Sequence, residues 1–286
     1  MSGGCMKTTI GIPFSPQKRI QRSLRDLRDL FWHRVNVEGI MEPLASVTPD
    51  TDAVQLKQDL AARDWDAVGI RESDGSILRF VDRGDLSIGD AATYAHPIMP
   101  AMLIPNSSSV LNLFKVLGTR DYAFVLTSDG VTGIVTRAGL EKPPVRLLLF
   151  GYTQLFEARL QSLLADVTTD EVHGRLPARM VEEAQRVWIK RREHNHSLAL
   201  VDCLSLWGKT DLVLADERRW RALGDDHGDL GRSMHDVVEL RNKLSHGEDI
   251  APTREDWLWA TRVVQAVEEM LRRADRSALE VDGKHC

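Results

Sequence analysis

The first half of the sequence contains an internal repeat, which constrains the fold more than any other feature. The first copy begins with a short strand, a Pro-Asp turn and a helix, in the segment ASVTPDTDAVQLKQDLAARD. It continues through DAVGIRESDGSILRFVDRGDL with a strand, a turn at Asp74-Gly75, a second strand and a helix that opens near Asp82. The second copy, AMLIPNSSSVLNLFKVLGTRD followed by YAFVLTSDGVTGIVTRAGL, has the same order of elements, with Asp129-Gly130 at the corresponding turn. The repeat therefore predicts two similar α/β units in tandem.

The residue pattern changes near residues 142–148, where Pro143-Pro144 favours extended backbone and an almost entirely helical pattern begins. Residues 15–40 carry apolar side chains at helical spacing and predict an amphipathic lead-in helix. We therefore predict four segments: a lead-in at 1–39, the paired repeats at 40–142, a helical bundle at 147–275 and a flexible tail at 276–286. The fold class is α+β, with two β-α-β-β-α repeats followed by an all-α bundle.

Composition excludes several classes of function. The 286 residues carry a net charge of −5, which is too acidic for a protein that coats nucleic acid through electrostatics alone. The longest apolar run, near residues 147–150, is far shorter than the roughly 20 residues that cross a bilayer, and we find no secretion signal. Three widely spaced cysteines predict reduced thiols and neither disulfides nor a zinc site. We expect a cytoplasmic protein with no membrane partner and no bound metal.

The segments VTPDTDAVQLKQDL, DAVGIRESDGSILRFVDRGDL and YAFVLTSDGVTGIVTRAGL resemble a tandem pair of CBS domains, over residues 40–142. The resemblance implies that the two small sheets pack together and leave two clefts, which hold adenine nucleotides or related ligands. It also implies that such pairs dimerise side by side. An adenosine-type nucleotide is therefore the expected regulatory ligand, and no other cofactor is required.

The resemblance also implies a ribose-binding signature, with a glycine, a Ser or Thr three residues later and an Asp after three more. The second copy keeps Thr136 but has Gly139 where the Asp belongs, and the first keeps Asp85 but has Asp82 in place of the hydroxyl. A carboxylate accepts hydrogen bonds from ribose hydroxyls, whereas Asp82 would repel a phosphate tail, so the first site suits adenosine-like ligands better than ATP. The alternative is a dimerisation scaffold without ligand, in which Asp82 caps a helix.

The segment SMHDVVELRNKLSHG predicts a helix that carries the chemistry of the second half. At about 100° per residue, four polar side chains lie within about 60° of one another, opposite an apolar stripe: His235, Glu239, Asn242 and His246. Arg241 lies at the flank of this polar face. Gly247 follows as the C-cap, so His246 occupies the last turn, where the helix dipole favours its protonated form and suits it to general acid chemistry.

The pattern Arg241-Asn242-x-x-x-His246, within LRNKLSHG, resembles the signature of HEPN domains, and the resemblance covers about residues 147–275. The resemblance to catalytic HEPN domains implies metal-independent cleavage of RNA at a composite site between two protomers. A ribose 2′-hydroxyl attacks the adjacent phosphate and leaves a 2′,3′-cyclic phosphate and a 5′-hydroxyl. In that chemistry His246 moves protons, Arg241 neutralises charge on the phosphorane, and Asn242 orients His246 or holds the phosphate. Two further residues are supporting candidates only: Glu239 and His235.

The two resemblances together predict an endoribonuclease that a nucleotide-like ligand regulates by changing the geometry of the dimer. Its partners would be RNA, either single-stranded or tRNA, a second copy of the chain and the regulatory nucleotide. The basic run Lys190-Arg191-Arg192, with Arg186, partly offsets the acidic balance for RNA binding. The alternative is a non-catalytic dimeric module that senses a ligand or binds a protein.

Overall fold

The computed structural model describes residues 35–194 and 198–282. Contacts divide these residues into two compact units. The first, called the repeat unit, contains residues 35–150 and 240–264, and the second, called the helical unit, contains residues 151–239 and 265–282. Residues 240–264 thus pack with the repeats, although the sequence analysis assigned them to the helical bundle. The domain limits derived from the sequence stay predictions.

The repeat unit contains two four-stranded sheets. Its described strands are β1 (Glu42–Pro43), β2 (Ser46–Val47), β3 (Ala67–Arg71), β4 (Ile77–Asp82), β5 (His96–Pro97), β6 (Leu103–Pro105), β7 (Tyr122–Thr127) and β8 (Gly130–Thr136). One sheet has the order β2-β3-β4-β5 and the other the order β1-β8-β7-β6. In each copy the first strand pairs parallel with the second, and the hairpin is antiparallel. Because β1 precedes the first copy but completes the sheet of the second, the two copies interlock.

Each copy has an α-helix between its first two strands, α1 (Ala53–Ala62) and α2 (Val110–Val116). Asp52 caps α1 by accepting a hydrogen bond from the backbone N–H three residues on at 2.7 Å, and Ser109 caps α2 by accepting one from the N–H two residues on at 3.2 Å. The glycines of the two hairpin turns have positive φ, which a residue without Cβ adopts at little cost: Gly75 at 86° and Gly130 at 99°. The predicted order of strand, helix and hairpin is confirmed in both copies.

The second helix predicted in each copy is wrong. After Asp82 the first copy forms turns and then a 3-10 helix at Ala91–Tyr94, because Gly89, with φ of 119°, interrupts helical backbone. The second copy forms a 3-10 helix at Arg137–Glu141, which is followed by α3 (Pro143–Leu163). Pro143 therefore lies in the first turn of a helix, where its missing N–H is not needed, and not in the extended backbone that we expected.

Strand β1 approaches β8 closely at Gly133. A Cβ on Gly133 would lie 2.8 Å from Met41 Sδ, 3.1 Å from Val125 Cβ and 3.3 Å from the carbonyl oxygen of Glu42. We expect Gly133→Ala to lower the free energy of unfolding by about 1–3 kcal/mol, the usual cost of overpacking. Gly39→Ala is the control, because no atom lies within 4 Å of the new Cβ, and it should change stability by less than about 0.5 kcal/mol. Equal stability of both variants in urea unfolding would contradict this close approach.

The described chain after residue 142 is largely helical, as predicted. Beyond α3 the α-helices are α4 (Thr169–Arg175), α5 (Ala178–Arg192), α6 (Leu206–Leu214), α7 (Glu217–Arg221), α8 (His227–His246) and α9 (Arg254–Asp282). The helical spacing of apolar residues predicts one helix over 177–201 and another over 203–222, and both are interrupted. The first ends at Arg192, and the second divides where Asp216 caps α7. The last helix continues past residue 275 to Asp282, so it is longer than expected.

In the helical unit, two of the buried cationic side chains pair with carboxylates. Lys209 Nζ lies 2.8 Å from Glu157 Oε1, and the Lys209 side chain is only 3% exposed. Arg219 Nη2 lies 3.1 Å from Asp166 Oδ1, and the hydrogen bond from Arg218, with a smaller contribution from Arg219, holds the pKa of the Asp166 carboxyl below its usual value. Burial of a charge is tolerated only when a partner compensates it, so these pairs constrain how the helices pack.

The lead-in helix predicted within residues 15–40 lies outside the described residues, apart from a 3-10 helix at Val37–Gly39. Just before it, Asn36 forms a β-bridge with Ser109 and so joins the start of the described chain to the second copy. Within residues 35–194 and 198–282, no helix is both long and apolar enough to cross a membrane.

Candidate ligand cleft and candidate catalytic helix end

The repeat unit contains a cleft of about 580 Å³. Its walls come from both copies: the β1–β2 segment at residues 42–45, the residues that precede β3 and β7, and the end of β8. The antiparallel pairing of β1 with β8 places the segment 42–45 beside the end of β8. Residues of the segment 249–252, which follows α8, complete the wall. The volume lies in the range of roughly 300–1,000 Å³ that is usual for small-molecule sites.

Thr136, which the sequence analysis selected as a ligand-binding residue, lines this cleft. It is the last residue of β8 and directly precedes the 3-10 helix Arg137–Glu141. Its side chain is half-buried and makes no capping hydrogen bond to that helix, so the hydroxyl is available to a ligand.

Carboxylates are numerous in the cleft wall. They belong to Glu42, Asp64, Asp66, Asp121, Glu141 and Asp249. The two lining arginines already have partners, because Arg137 pairs with Asp121, and Arg63 donates to a backbone carbonyl at 3.0 Å and lies over the ring of Trp65. Among the described lining residues, Arg63 is thus the one cation without a carboxylate partner, against six carboxylates, so the electrostatic potential of the wall disfavours a phosphate group.

Asp82 and Asp85, the other two predicted ligand-binding residues, do not line this cleft. Asp82 Oδ2 accepts a hydrogen bond from the Tyr122 hydroxyl at 3.0 Å, and its Oδ1 accepts from the N–H of Gly84 at 3.0 Å. Burial and the charge of Asp82 raise the pKa of Tyr122 well above its ordinary value, so this hydroxyl stays protonated as the donor. Asp85 lies 2.8 Å from His96 Nε2. The structure thus brings Thr136 into the cleft and gives both aspartates other partners.

The sequence analysis missed Asp66 and Asp121, which line the cleft at equivalent places just before β3 and β7. The repeat itself carried a signal for them, because WDAVGI in the first copy and RDYAFV in the second both have an aspartate directly before the buried strand. Aligning the two copies residue by residue would have identified the pair.

A second cavity of about 450 Å³ lies at the hairpin side of the repeat unit. Both hairpin turns contribute to it, through Ser76 and Asp129 among others, and its remaining wall is mainly apolar. Arg71 donates to Ser46 Oγ at 2.6 Å within this wall. The cavity offers fewer free polar groups than the first cleft, which is the better ligand site.

Helix α8 ends at His246, and Gly247 follows with φ of 71° as the predicted C-cap. Asn242 and His246 are both exposed and lie one helical turn apart. Arg241 is half-buried, and its Nη1 donates to Asn242 Oδ1 at 3.2 Å. Its buried Nε has no hydrogen-bond partner in the described chain. The structure therefore places the three proposed catalytic residues at one helix end with two of them open to solvent.

Two side chains near the start of α3 hold the chain that follows α8. Glu141 Oε1 accepts hydrogen bonds from the N–H groups of Ile250 at 2.7 Å and Ala251 at 3.2 Å. Arg146 donates to the carbonyl oxygen of Glu248 at 2.9 Å and to the other carboxylate oxygen of Glu141 at 2.7 Å. We call this group the Glu141 anchor. No local pattern could have predicted it, because Glu141 and Ile250 are 109 positions apart.

The two supporting candidates, His235 and Glu239, belong to the helical unit, whereas Arg241, Asn242 and His246 belong to the repeat unit. His235 Nε2 lies 3.3 Å from Asp211 Oδ1, and its ring stacks on Trp207 with centroids 4.5 Å apart. Glu239 is exposed. Contacts within the helical unit therefore explain the position of the His235 side chain.

The described residues contain no group of three or more His, Cys, Asp or Glu side chains arranged to hold a metal ion. Cys203 is buried, and burial raises the pKa of its thiol.

No protein-family profile matches the sequence, and a comparison with curated proteins found no match. Several solved CBS-domain structures are similar to part of the chain. One is a CBS domain-containing protein of Bacillus anthracis, with 14% identity, a TM-score of 0.34 and coverage of 40% of this chain and 94% of that chain. The CBS-pair protein CBSX2 of Arabidopsis thaliana has 17% identity, a TM-score of 0.34 and coverage of 40% and 94%. A CBS domain protein of Pyrobaculum aerophilum, complexed with AMP, has 13% identity, a TM-score of 0.34 and coverage of 40% and 96%.

Proposed function

We propose that the repeat unit is a CBS pair that senses an adenosine-type ligand in its 580 Å³ cleft. The observation that carries this proposal is the cleft itself, which both copies line and which holds the free hydroxyl of Thr136. The HEPN identity of the helical region is a separate part of the proposal and rests on the sequence motif.

The chemistry of the cleft wall favours a nucleoside over a nucleotide. Asp66 pairs with Arg83 and Asp121 with Arg137, in both cases through Oδ1. The second carboxylate oxygen of each aspartate remains an acceptor for ribose hydroxyls, and Thr136 either donates or accepts there. Trp65 and Ile134 supply apolar surface for a base. Since Arg137 is already paired with Asp121 and Arg63 is a single cation, a triphosphate would lie among carboxylates with too few cations to match its charge.

Titration calorimetry with the full-length protein tests this preference. We expect adenosine to bind at least about tenfold more tightly than ATP, with AMP between them, because each unmatched phosphate charge near a carboxylate costs about 1 kcal/mol or more. Ala138→Trp should abolish binding, since the exposed Ala138 lines the cleft and a large ring would fill it.

Ala178→Trp, at an exposed position in the helical unit, is the matched control and should bind adenosine like the parent. Tighter binding of ATP than of adenosine would contradict the proposed ligand class. Equal binding by the Ala138→Trp variant would contradict the proposed place of binding.

A second candidate function is metal-independent, HEPN-type endoribonuclease activity at the end of α8. Asn242 and His246 are exposed and lie one turn apart, on a helix end that the Glu141 anchor holds. This arrangement favours the second candidate function. His246 would transfer the proton between the 2′-hydroxyl, which attacks the phosphorus, and the 5′-oxygen, which leaves. Arg241 would stabilise the charge on the phosphate oxygens. An exposed site of this kind gains its second wall from another copy of the chain, so we propose a homodimer that acts on RNA in the cytoplasm.

The Glu141 anchor supplies a physical route by which the ligand would regulate this activity. Glu141 lines the cleft and binds the backbone at Ile250 and Ala251, only a few residues beyond His246. A ligand that prefers one position of this segment would change the position of the helix end. If RNA cleavage is unaffected by saturating adenosine, AMP and ATP, the gating part of the proposal is wrong. If no cleavage occurs under any of these conditions, the non-catalytic sensing module is the better description.

A further inference from the structure

The C-terminal half of α5 carries a cluster of cations in a chain whose net charge is −5. Its members are Arg186, Lys190, Arg191 and Arg192, all of them exposed. Within the described part of the chain none of the four forms an ion pair. Arg186 Nε contacts a backbone carbonyl at 3.4 Å, and the Arg192 guanidinium lies over the ring of Trp188 at 4.5 Å. These charges therefore contribute no pairing energy to the fold.

Three of these cations line an open groove of about 880 Å³ in the helical unit. Arg186 and Lys190 lie one turn apart on the helix, about 6 Å along its axis, and Arg191 lies about 100° further round the helix from Lys190. The described lining also contains one carboxylate and three other side chains: Glu193, His194, Val187 and Leu198.

We propose that this groove, which we call the α5 groove, binds the phosphate backbone of single-stranded RNA. Arginine guanidinium groups that have no carboxylate partner match phosphate oxygens in geometry as well as in charge. Several cations within one open groove suit an extended polyanion, and Val187 provides a contact for bases. The groove also supplies the attraction for RNA that the acidic composition of the chain otherwise lacks. The inference rests on the proposed endoribonuclease function for its choice of RNA as the polyanion.

The test uses the full-length His246→Ala variant, so that binding is measured without cleavage. Fluorescence anisotropy with a labelled single-stranded RNA of about 20 nucleotides gives the affinity as a function of salt. Combining Arg186→Gln, Lys190→Gln and Arg191→Gln should weaken binding at least about tenfold. The triple substitution should also reduce the magnitude of the slope of the logarithm of the association constant against the logarithm of salt concentration by about 2. Each phosphate contact on a single strand contributes about 0.7 to this slope.

A control with the same change in net charge is available in the same unit. Arg179, Arg218 and Arg221 are also exposed, but each already forms an ion pair with a carboxylate. Replacing these three by glutamine should leave the affinity within about twofold of the parent, because their charges are already neutralised. An equal loss in both triple variants would show that only net charge matters and would overturn the proposal.

Two further outcomes would also overturn it. One is the absence of RNA binding by the parent, and the other is displacement of RNA by polyglutamate at equal charge concentration, which would indicate an acidic protein as the partner. Failure of the endoribonuclease proposal is distinguishable from these results. In that case RNA would bind through the α5 groove with the expected salt dependence, and the protein with His246 intact would not cleave it.

Discussion

Replacing His246 with alanine is expected to lower the rate of RNA cleavage by about 10²- to 10⁴-fold, the usual contribution of a positioned acid or base. An imidazole is the type of side chain that can transfer protons near neutral pH, and alanine removes the exposed ring of His246 without disturbing a buried contact. The measurement is cleavage of labelled RNA in EDTA by the full-length protein, with the ends of the products identified. Cyclic phosphate ends made by the parent alone would support attack by the 2′-hydroxyl.

His173→Ala is the control for this variant, since His173 is an exposed histidine in the helical unit. It should cleave RNA at the rate of the parent. Cleavage by the His246→Ala variant at the parental rate would exclude His246 as the acid or base. An equal loss in both variants would point to a general effect on the fold, and circular dichroism of the two proteins would identify it.

Replacing Glu157 with leucine is expected to reduce the free energy of unfolding by about 3–5 kcal/mol, the cost of removing one partner of a buried pair. Lys209 Nζ lies 2.8 Å from Glu157, and its side chain is 3% exposed. The variant would leave an ammonium group buried without a compensating charge. Urea unfolding of the parent and the variant measures the loss.

The double variant Glu157→Leu with Lys209→Met separates burial of charge from packing. Because it removes both charges and keeps apolar volume at both positions, its stability should return to within about 1 kcal/mol of the parent, or exceed it. If the double variant were as unstable as the single one, the loss would come from packing at position 157. If the single variant were as stable as the parent, Lys209 would have reached water after the substitution.

Much of the repeat unit could be predicted because its signals are local. Turn glycines at Gly75 and Gly130 determine where each hairpin reverses, and Asp52 and Ser109 cap the helices that follow the first strands. These residues act on backbone only two or three positions away. The end of α8 was equally predictable, since Gly247 adopts the left-handed conformation that terminates a helix.

The ligand site could be predicted only in part. Thr136 was found because it belongs to a signature within seven residues, and it lines the cleft. Asp82 and Asp85 were selected in the same way, but the fold pairs them with Tyr122 and His96. In the case of Asp82 the partner is 40 positions away, and no local pattern states which hydroxyl the folded chain will bring to it.

The sequence by itself determined the tandem order of elements, their turns and caps, and the placement of Arg241, Asn242 and His246 at one helix end, because short-range backbone preferences decide these features. The tertiary structure alone decided which side chains share the cleft, that the segment after α8 forms part of its wall, and that Glu141 holds this segment. Those features depend on contacts between residues about 100 positions apart, whose energies arise only when the whole unit is packed.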